Sequence, residues 1–191
     1  MEIYILRHGK AEERPSGISS DAKRRLTESG RSEMEQVASG ITALGIRPDR
    51  IISSPLVRAR ETAEIIRGRL LLERDSGRSP TRVGIWQELK PESDVLGAHG
   101  RLAAMAPDSG VMLVGHEPHL SSLASSMITR RPGRAAARDR RAYADAPDAA
   151  INLKKGGLAI IRANADAQVM RGFLRSLMTP KQLRLCRRAA H

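Results

Sequence analysis

The residues with the clearest capacity for chemistry lie near the start of the chain, where an apolar stretch stops at Arg7, His8 and Gly9. Residues 1–6 are mostly apolar and include Ile, Tyr and Leu, which predicts a buried strand. A strand that ends this way delivers a guanidinium and an imidazole to the carboxyl edge of a sheet, where ligands bind in open α/β proteins. We therefore interpret His8 as a nucleophile and Arg7 as the group that holds the anion it attacks.

Two later stretches end in a similar manner and supply further polar groups. A predicted strand over residues 50–54 leads directly into a helix with Arg58 in its first turn, where backbone N–H groups also favour an anion. Ser54 could add a hydroxyl to the same site. A third predicted strand over residues 111–114 is followed by His116, which could donate to a phosphoryl group if it is protonated.

These groups match the requirements of phosphoryl transfer to water. The reaction needs cations around three non-bridging oxygens, a nucleophile in line with the leaving group, and protonation of that leaving group. Arginine suits the first task because its planar guanidinium stays charged and matches phosphate geometry. His8 could attack phosphorus as a neutral imidazole, since nearby cations disfavour its protonation, and form a phosphohistidine that water hydrolyses. We expect the backbone to accept the other ring N–H and fix the tautomer, with Gly9 permitting the tight turn.

Taken together, the motifs resemble those of the histidine phosphatase superfamily, which has the phosphoglycerate mutase-like fold. The matching residues are Leu6-Arg7-His8-Gly9, Arg25-Leu26-Thr27 with Gly30, Ser53-Ser54-Pro55 with Arg58, Ala59, Glu61 and Thr62, and Val114-Gly115-His116. The resemblance implies that His8 accepts the phosphoryl group. It also implies that Arg7, Arg58 and His116 form the pocket around that group.

Within the superfamily, the chain looks most like the small SixA branch, the phosphohistidine phosphatases. The similarity lies in its short length, the absence of a large cap insertion, and Glu88-Leu89-Lys90-Pro91 with Asp94. Many members of the superfamily use a Glu or Asp as general acid, and Glu88 is the candidate by position. The SixA-like branch is able to work without a dedicated acid. The imidazole of a phosphohistidine leaves more easily than an alkoxide and can be protonated on its other nitrogen.

Apolar periodicity predicts an alternation of strands and helices. Strands are expected near residues 1–6, 50–54, 83–86, 111–114, 158–162 and 168–174, and helices near residues 28–44, 56–70, 92–105, after Pro118 and after Pro180. Residues 10–25 are expected to form a loop, and Gly156-Gly157 introduces the strand near residues 158–162. Thr27 is expected to cap the first helix, Leu44 to lie on its buried face and Gly45 to end it. The pattern predicts a single α/β domain over residues 1–191, with a largely parallel central sheet and helices on both faces.

The chain is strongly basic. Its 191 residues carry a net charge of +12, concentrated in an insertion at about residues 129–150 and a C-terminal tail at about residues 180–191. We interpret both as solvated segments, with contact to an acidic partner or to nucleic acid as the alternative. The single Cys186 excludes an internal disulfide. No apolar run or secretory pattern indicates a membrane span or export, so a cytoplasmic location is expected.

The expected function is dephosphorylation of phosphohistidine in a protein, or of a small phosphoester, through a covalent phosphohistidine on His8. Because no metal-ligand spacing occurs in the sequence, we expect a metal-independent enzyme without a cofactor. The alternatives are a phosphomonoesterase acting on sugar phosphates or nucleotides, a non-catalytic phosphate- or nucleic-acid-binding module, and a mutase, which the lack of a cap disfavours. The expected partner is a phosphorylated protein or small molecule and not a membrane. His119 is a secondary candidate for the pocket.

Overall fold

The computed structural model describes residues 1–13, 18–72, 82–128 and 151–186. The strands in these ranges are β1 (Glu2–Arg7), β2 (Arg50–Ser53), β3 (Val83–Ile85), β4 (Gly110–Gly115), β5 (Leu158–Asp166) and β6 (Val169–Met178). The α-helices are α1 (Glu28–Ala43), α2 (Val57–Leu72), α3 (Val95–Ala103), α4 (His119–Ile128) and α5 (Pro180–Cys186). The predicted basic insertion at residues 129–150 lies outside the described residues, as does the predicted tail from residue 187 onward.

The strands of the described ranges form one sheet in the order β3-β2-β4-β1-β5-β6. The first four strands in this order run parallel, and β5 and β6 add an antiparallel hairpin beside β1. Parallel pairing puts Arg7 opposite Gly115 and Ser53 opposite Val114, so the carboxyl ends of β1, β4 and β2 lie next to one another. This mixed, mostly parallel sheet confirms the predicted α/β fold.

Each face of the sheet is covered by its own apolar layer. Successive side chains of a strand point to opposite faces, so Ile3 and Ile5 of β1 pack with α3 and α4, while Tyr4 and Leu6 pack with α1 and α2. Buried helical side chains of the two layers are Leu102, Leu120 and Leu123 on the first face and Met34, Ile41 and Ile66 on the second. Burial on both faces explains why the inner strands are almost continuously apolar in sequence.

The first helix differs from the prediction at its end. Thr27 caps its start as predicted, because its Oγ1 accepts a hydrogen bond from the Gly30 N–H at 3.0 Å. Gly45 follows the helix with a φ of +69°, also as predicted. Leu44, which was expected on the buried face, is 43% exposed. The helix ends at Ala43, and Leu44 is its C-cap residue, so its side chain leaves the face that packs on the sheet.

Two other segments depart from the predicted boundaries. The helix expected at residues 92–105 is shorter, because the Asp94 carboxylate caps it by accepting from the Leu96 N–H at 2.9 Å. The segment expected as a loop after β1 contains a 3-10 helix at Ile18–Lys23, and another 3-10 helix spans Gln87–Leu89. Within the described ranges, no helix has the length and apolar character needed to cross a bilayer.

The packing of α1 on α5 predicts opposite effects for two glycine substitutions. A Cβ at Gly40 in α1 would lie 1.9 Å from the Leu183 carbonyl oxygen, whereas a Cβ at Gly68 in α2 would meet nothing within 4 Å. We expect Gly40→Ala to lower the free energy of unfolding by roughly 1–3 kcal/mol, because it overpacks the helix contact. The matched Gly68→Ala should raise it by about 0.5–1 kcal/mol through helix propensity. Urea denaturation measures both, and equal effects would contradict the close approach of α1 to α5.

Candidate active site

The imidazole of His8 is buried just beyond the end of β1. Its Nδ1 lies 2.7 Å from the carbonyl oxygen of Gly9, so an Nδ1–H donates to this acceptor and leaves the Nε2 lone pair available. Burial lowers the pKa of His8 to about 3, and the charges of Arg58 and Arg7 add to the effect, against the opposing bond to Gly9. His8 is therefore uncharged at neutral pH. The Gly9 carbonyl is the predicted backbone acceptor, and the lowered pKa agrees with the predicted neutral imidazole.

Gly9 is required here for a different reason from the one predicted. Among the described glycines, the left-handed backbone region is occupied at Gly45 and Gly156 and not at Gly9. A Cβ at Gly9 would instead lie 2.6 Å from Cγ of Met34 in α1. The backbone N–H of Gly9 donates to Oγ1 of Thr62 at 3.2 Å. Close packing between β1 and two helices, and not a strained turn, accounts for the glycine.

The first turn of α2 brings Arg58 to His8. The Arg58 side chain is 5% exposed, and its Nε lies 3.3 Å from Nε2 of His8, to which it donates. The terminal nitrogens donate to Asp21, with Nη1 2.8 Å from its carbonyl oxygen and Nη2 3.1 Å from its carboxylate. Thr62 holds the same turn by donating to the Arg58 carbonyl at 2.8 Å. Arg58 therefore joins the His8 ring to a carboxylate across a buried pocket.

The end of β4 places His116 against His8 on the other side. The two ring centroids are 5.0 Å apart with the planes tilted by 54°, and Nε2 of His116 is 2.9 Å from Oγ of Ser54. Burial lowers the pKa of His116 to about 2, with further lowering by His8 and Arg58. In the ligand-free pocket His116 is thus a neutral ring. The predicted hydroxyl of Ser54 is present, and it supports this ring.

Arg7 is joined to a turn that precedes β5. Its Nη1 donates to the Leu153 carbonyl at 2.7 Å. The N–H of Gly156 is shared between the carbonyls of Arg7 at 3.1 Å and His8 at 3.2 Å. Gly156 has a φ of +73°, a conformation that favours glycine. The turn at residues 153–157 therefore holds the end of β1 through backbone hydrogen bonds. In the sequence, only the pair Gly156-Gly157 indicated this turn.

Asp21 is a pocket residue that the sequence did not indicate. It lies in the 3-10 helix at Ile18–Lys23, inside a stretch that was expected to be a loop. Besides its contacts with Arg58, its Oδ1 accepts from Nη1 of Arg24 at 2.8 Å. An isolated aspartate in a polar segment carries no signal of a partner, because the contact depends on a residue far along the chain.

Glu88 is held outside this cluster. Its Oε1 accepts from Nε of Arg101 at 2.8 Å, and none of the described hydrogen bonds joins it to His8 or Arg58. Burial alone would raise the pKa of Glu88, but backbone hydrogen bonding and Arg101 outweigh burial and lower it. An ionised carboxylate paired with an arginine does not support the predicted role of Glu88 as a proton donor. His119 is buried at the start of α4, and burial lowers the pKa of its ring.

The pocket joins residues from three neighbouring strand ends. The His8 N–H donates to the Gly115 carbonyl at 3.1 Å, and the Ser54 N–H donates to the Val114 carbonyl at 2.9 Å. In the part of the chain that the structure describes, no group of three or more His, Cys, Asp or Glu side chains could hold a metal ion. The resulting site offers an uncharged imidazole whose unprotonated Nε2 lies beside guanidinium groups, which suits nucleophilic attack on the central atom of a bound oxyanion.

Comparison with known proteins agrees with this geometry. The sequence profile of the Histidine phosphatase superfamily (branch 1) matches residues 3–95. An uncharacterised protein of Picosynechococcus sp. is 34% identical over 170 residues, covering 86% of this chain and 87% of that protein. Phosphohistidine phosphatase SixA of Escherichia coli is 27% identical over 129 residues, covering 66% of this chain and 74% of SixA.

A solved structure shows the same fold. The protein histidine phosphatase SixA complexed with tungstate has a TM-score of 0.74 at 20% identity, over 96% of this chain and 99% of that one. The chain belongs to the histidine phosphatase superfamily, and its similarity to SixA supports the SixA-like branch. This membership supports a phosphatase activity.

The buried histidines predict that stability falls in mild acid. The folded-state pKa values of His8, His99 and His116 are lowered to about 3, 4 and 2, whereas the unfolded value is about 6.5. Below pH 6.5 the unfolded chain binds protons that the folded chain does not. The free energy of unfolding should therefore fall as pH drops towards 5, by at most about 1.4 kcal/mol per pH unit for each histidine.

Urea denaturation between pH 7.5 and 5 measures this slope, at pH values where most carboxylates remain ionised. The variant His116→Gln removes one titrating ring and should reduce the slope by roughly one quarter, because His119 is also buried with a lowered pKa and four buried histidines contribute. A slope that is unchanged in the variant would show that His116 is not held neutral by the fold.

Proposed function

We propose that this chain is a metal-independent phosphohistidine phosphatase that takes the phosphoryl group onto His8 and then passes it to water. The observation that carries the proposal is the state of the His8 ring. Its Nδ1–H is committed to the Gly9 carbonyl at 2.7 Å, and its Nε2 points to the Arg58 guanidinium at 3.3 Å. The nucleophilic nitrogen and the main anion-binding group therefore face the same small space.

The first step forms a bond between Nε2 of His8 and phosphorus while the bond from phosphorus to the substrate nitrogen breaks. In the structure, Nε of Arg58 donates to the lone pair on Nε2 of His8. The oxygens of an incoming phosphoryl group must therefore attract the N–H groups of Arg58 away from this lone pair. This shift frees the lone pair at the moment when the ligand arrives. In the second step water attacks phosphorus, the bond to Nε2 breaks, and inorganic phosphate leaves.

His116 and Arg7 stabilise the charge of the transferring group in this scheme. A bound dianion raises the pKa of a neighbouring imidazole, because the opposite charge favours the protonated form. The neutral His116 ring would then take up a proton or donate its N–H to a phosphoryl oxygen, while Ser54 keeps the ring in place at 2.9 Å. The guanidinium groups supply the positive charge that a metal ion provides in other phosphoryl-transfer enzymes.

The pairing of Glu88 and Asp21 with arginines favours a phosphorus–nitrogen bond over a phosphate ester. An alkoxide leaving group needs a proton donor, but Glu88 pairs with Arg101 at 2.8 Å and Asp21 pairs with Arg58 and Arg24. An imidazole leaving group can be protonated on its own second nitrogen and does not need an acid from the protein. A phosphorylated histidine in a protein is therefore the proposed substrate, and a small phosphoester is the second candidate.

Replacing the nucleophile tests the covalent route. We expect His8→Asn to lower kcat/KM for phosphoramidate and for a phosphohistidine protein by at least about 10³-fold, because the phosphoenzyme can no longer form. Wild-type protein treated with EDTA should keep its activity. Release of inorganic phosphate measures both, and quenched wild-type enzyme should carry an acid-labile, base-stable phosphoryl group. The control is His191→Asn, and persistent activity in His8→Asn would refute the proposal.

A pair of arginines on the same helix tests the pocket. Arg58→Gln should lower kcat/KM by about 10²–10³-fold, the usual cost of removing one donor to a transition-state oxyanion. Arg60 lies two positions further along α2 and is exposed, so Arg60→Gln should stay within about two-fold of wild type, as surface substitutions usually do. Circular dichroism checks that both variants fold. Equal losses in the two variants would mean that general positive charge, and not the placement of Arg58, drives the activity.

A further inference from the structure

The positive charge of the pocket is partly neutralised before any ligand enters. Arg58 donates to the carboxylate of Asp21 at 3.1 Å, and the charge of Glu117 acts on Arg7. The pKa values of about 3 for His8 and about 2 for His116 keep both rings uncharged at neutral pH. The carboxylates of Asp21 and Glu117 offset much of the charge of the two guanidinium groups, whereas a phosphoryl group carries about −1.5 to −2 near pH 7. A further cation would strengthen the attraction for the ligand.

The turn at residues 153–157 places one lysine beside the nucleophile. Gly156 donates its N–H to the carbonyls of Arg7 at 3.1 Å and His8 at 3.2 Å. Gly157 closes the turn by donating to the Lys154 carbonyl at 2.7 Å. Lys155 is the residue directly before Gly156, so it is next in the chain to the N–H that donates to the His8 carbonyl. These hydrogen bonds hold the backbone at Lys155 close to His8.

The side chain of Lys155 is well suited to bind an incoming anion. Lys155 is exposed, and no described carboxylate forms an ion pair with it. Its charge lowers the pKa of the His8 ring, after burial and the charges of Arg58 and Arg7. A lysine ammonium is a compact charge on a flexible stem, so it can reach a ligand that the fixed guanidinium groups bind first.

We propose that Lys155 binds the phosphoryl group, with its ammonium donating to a non-bridging oxygen as the third cation of the pocket beside Arg7 and Arg58. The proposal rests on the proposed function, because its ligand is the phosphoryl group that His8 attacks. Its ammonium adds one positive charge to a site in which Asp21 and Glu117 offset part of the guanidinium charge.

Calorimetric titration with inorganic phosphate tests the inference, because this probe has no carrier protein whose acidic side chains could attract a lysine. At neutral pH and fixed ionic strength, Lys155→Met should bind phosphate about ten-fold more weakly than wild type, as expected for loss of one charged hydrogen bond. Lys155→Arg should recover most of the affinity. Lys154→Met is the matched control, since Lys154 is also exposed, and it should stay within about two-fold. With phosphoramidate, Lys155→Met should raise KM more than it lowers kcat.

Phosphate affinity of Lys155→Met equal to that of wild type would overturn the inference. Equal weakening of phosphate binding in Lys154→Met and Lys155→Met would also overturn it, because the effect would then come from the overall positive charge of the turn at residues 153–157. If wild-type protein does not bind phosphate at all, the proposed function fails, and the inference fails with it. Both lysines are exposed, so thermal unfolding of the variants should match wild type and keep the comparison free of folding effects.

Discussion

The hydrogen bond from Nδ1 of His8 to the Gly9 carbonyl is the constraint on which the site depends. At 2.7 Å it selects one tautomer and leaves Nε2 as the only ring nitrogen that can attack. Burial then keeps the ring uncharged, since the protonated form would have to be held away from water beside two guanidinium groups. The same burial that costs stability in acid thus maintains a nucleophile that is ready at neutral pH.

The sheet supplies the second constraint. Parallel pairing of β1, β4 and β2 brings three strand ends to one edge, and backbone hydrogen bonds from His8 to Gly115 and from Ser54 to Val114 keep them in register. Ring contacts such as the 5.0 Å separation of His8 and His116 follow from this register. Apolar layers on both faces hold the strands in place, so the polar groups at the edge need little further support.

The pocket balances attraction for an anion against its own stability. Buried guanidinium groups without partners would be costly. The carboxylate and carbonyl of Asp21 accept from Arg58, and the Leu153 carbonyl accepts from Nη1 of Arg7, whose buried Nε has no hydrogen-bond partner among the described residues. A ligand must therefore compete with partners that the protein already provides. This competition favours a doubly charged phosphoryl group over anions of lower charge, because only strong charge–charge attraction compensates for the protein hydrogen bonds that the guanidinium groups lose.

Local patterns in the sequence determined which strands end in reactive residues and which faces are buried, because side-chain alternation and motif spacing depend only on neighbours in the chain. His8, Arg58 and His116 could be predicted to converge for this reason. The contact of Asp21 with Arg58 joins residues 37 positions apart, and that of Arg7 with Leu153 joins residues 146 apart. Neither contact has a local signature. Only the tertiary structure decided these partners and paired Glu88 with Arg101, because each partner is chosen by how the chain packs in space.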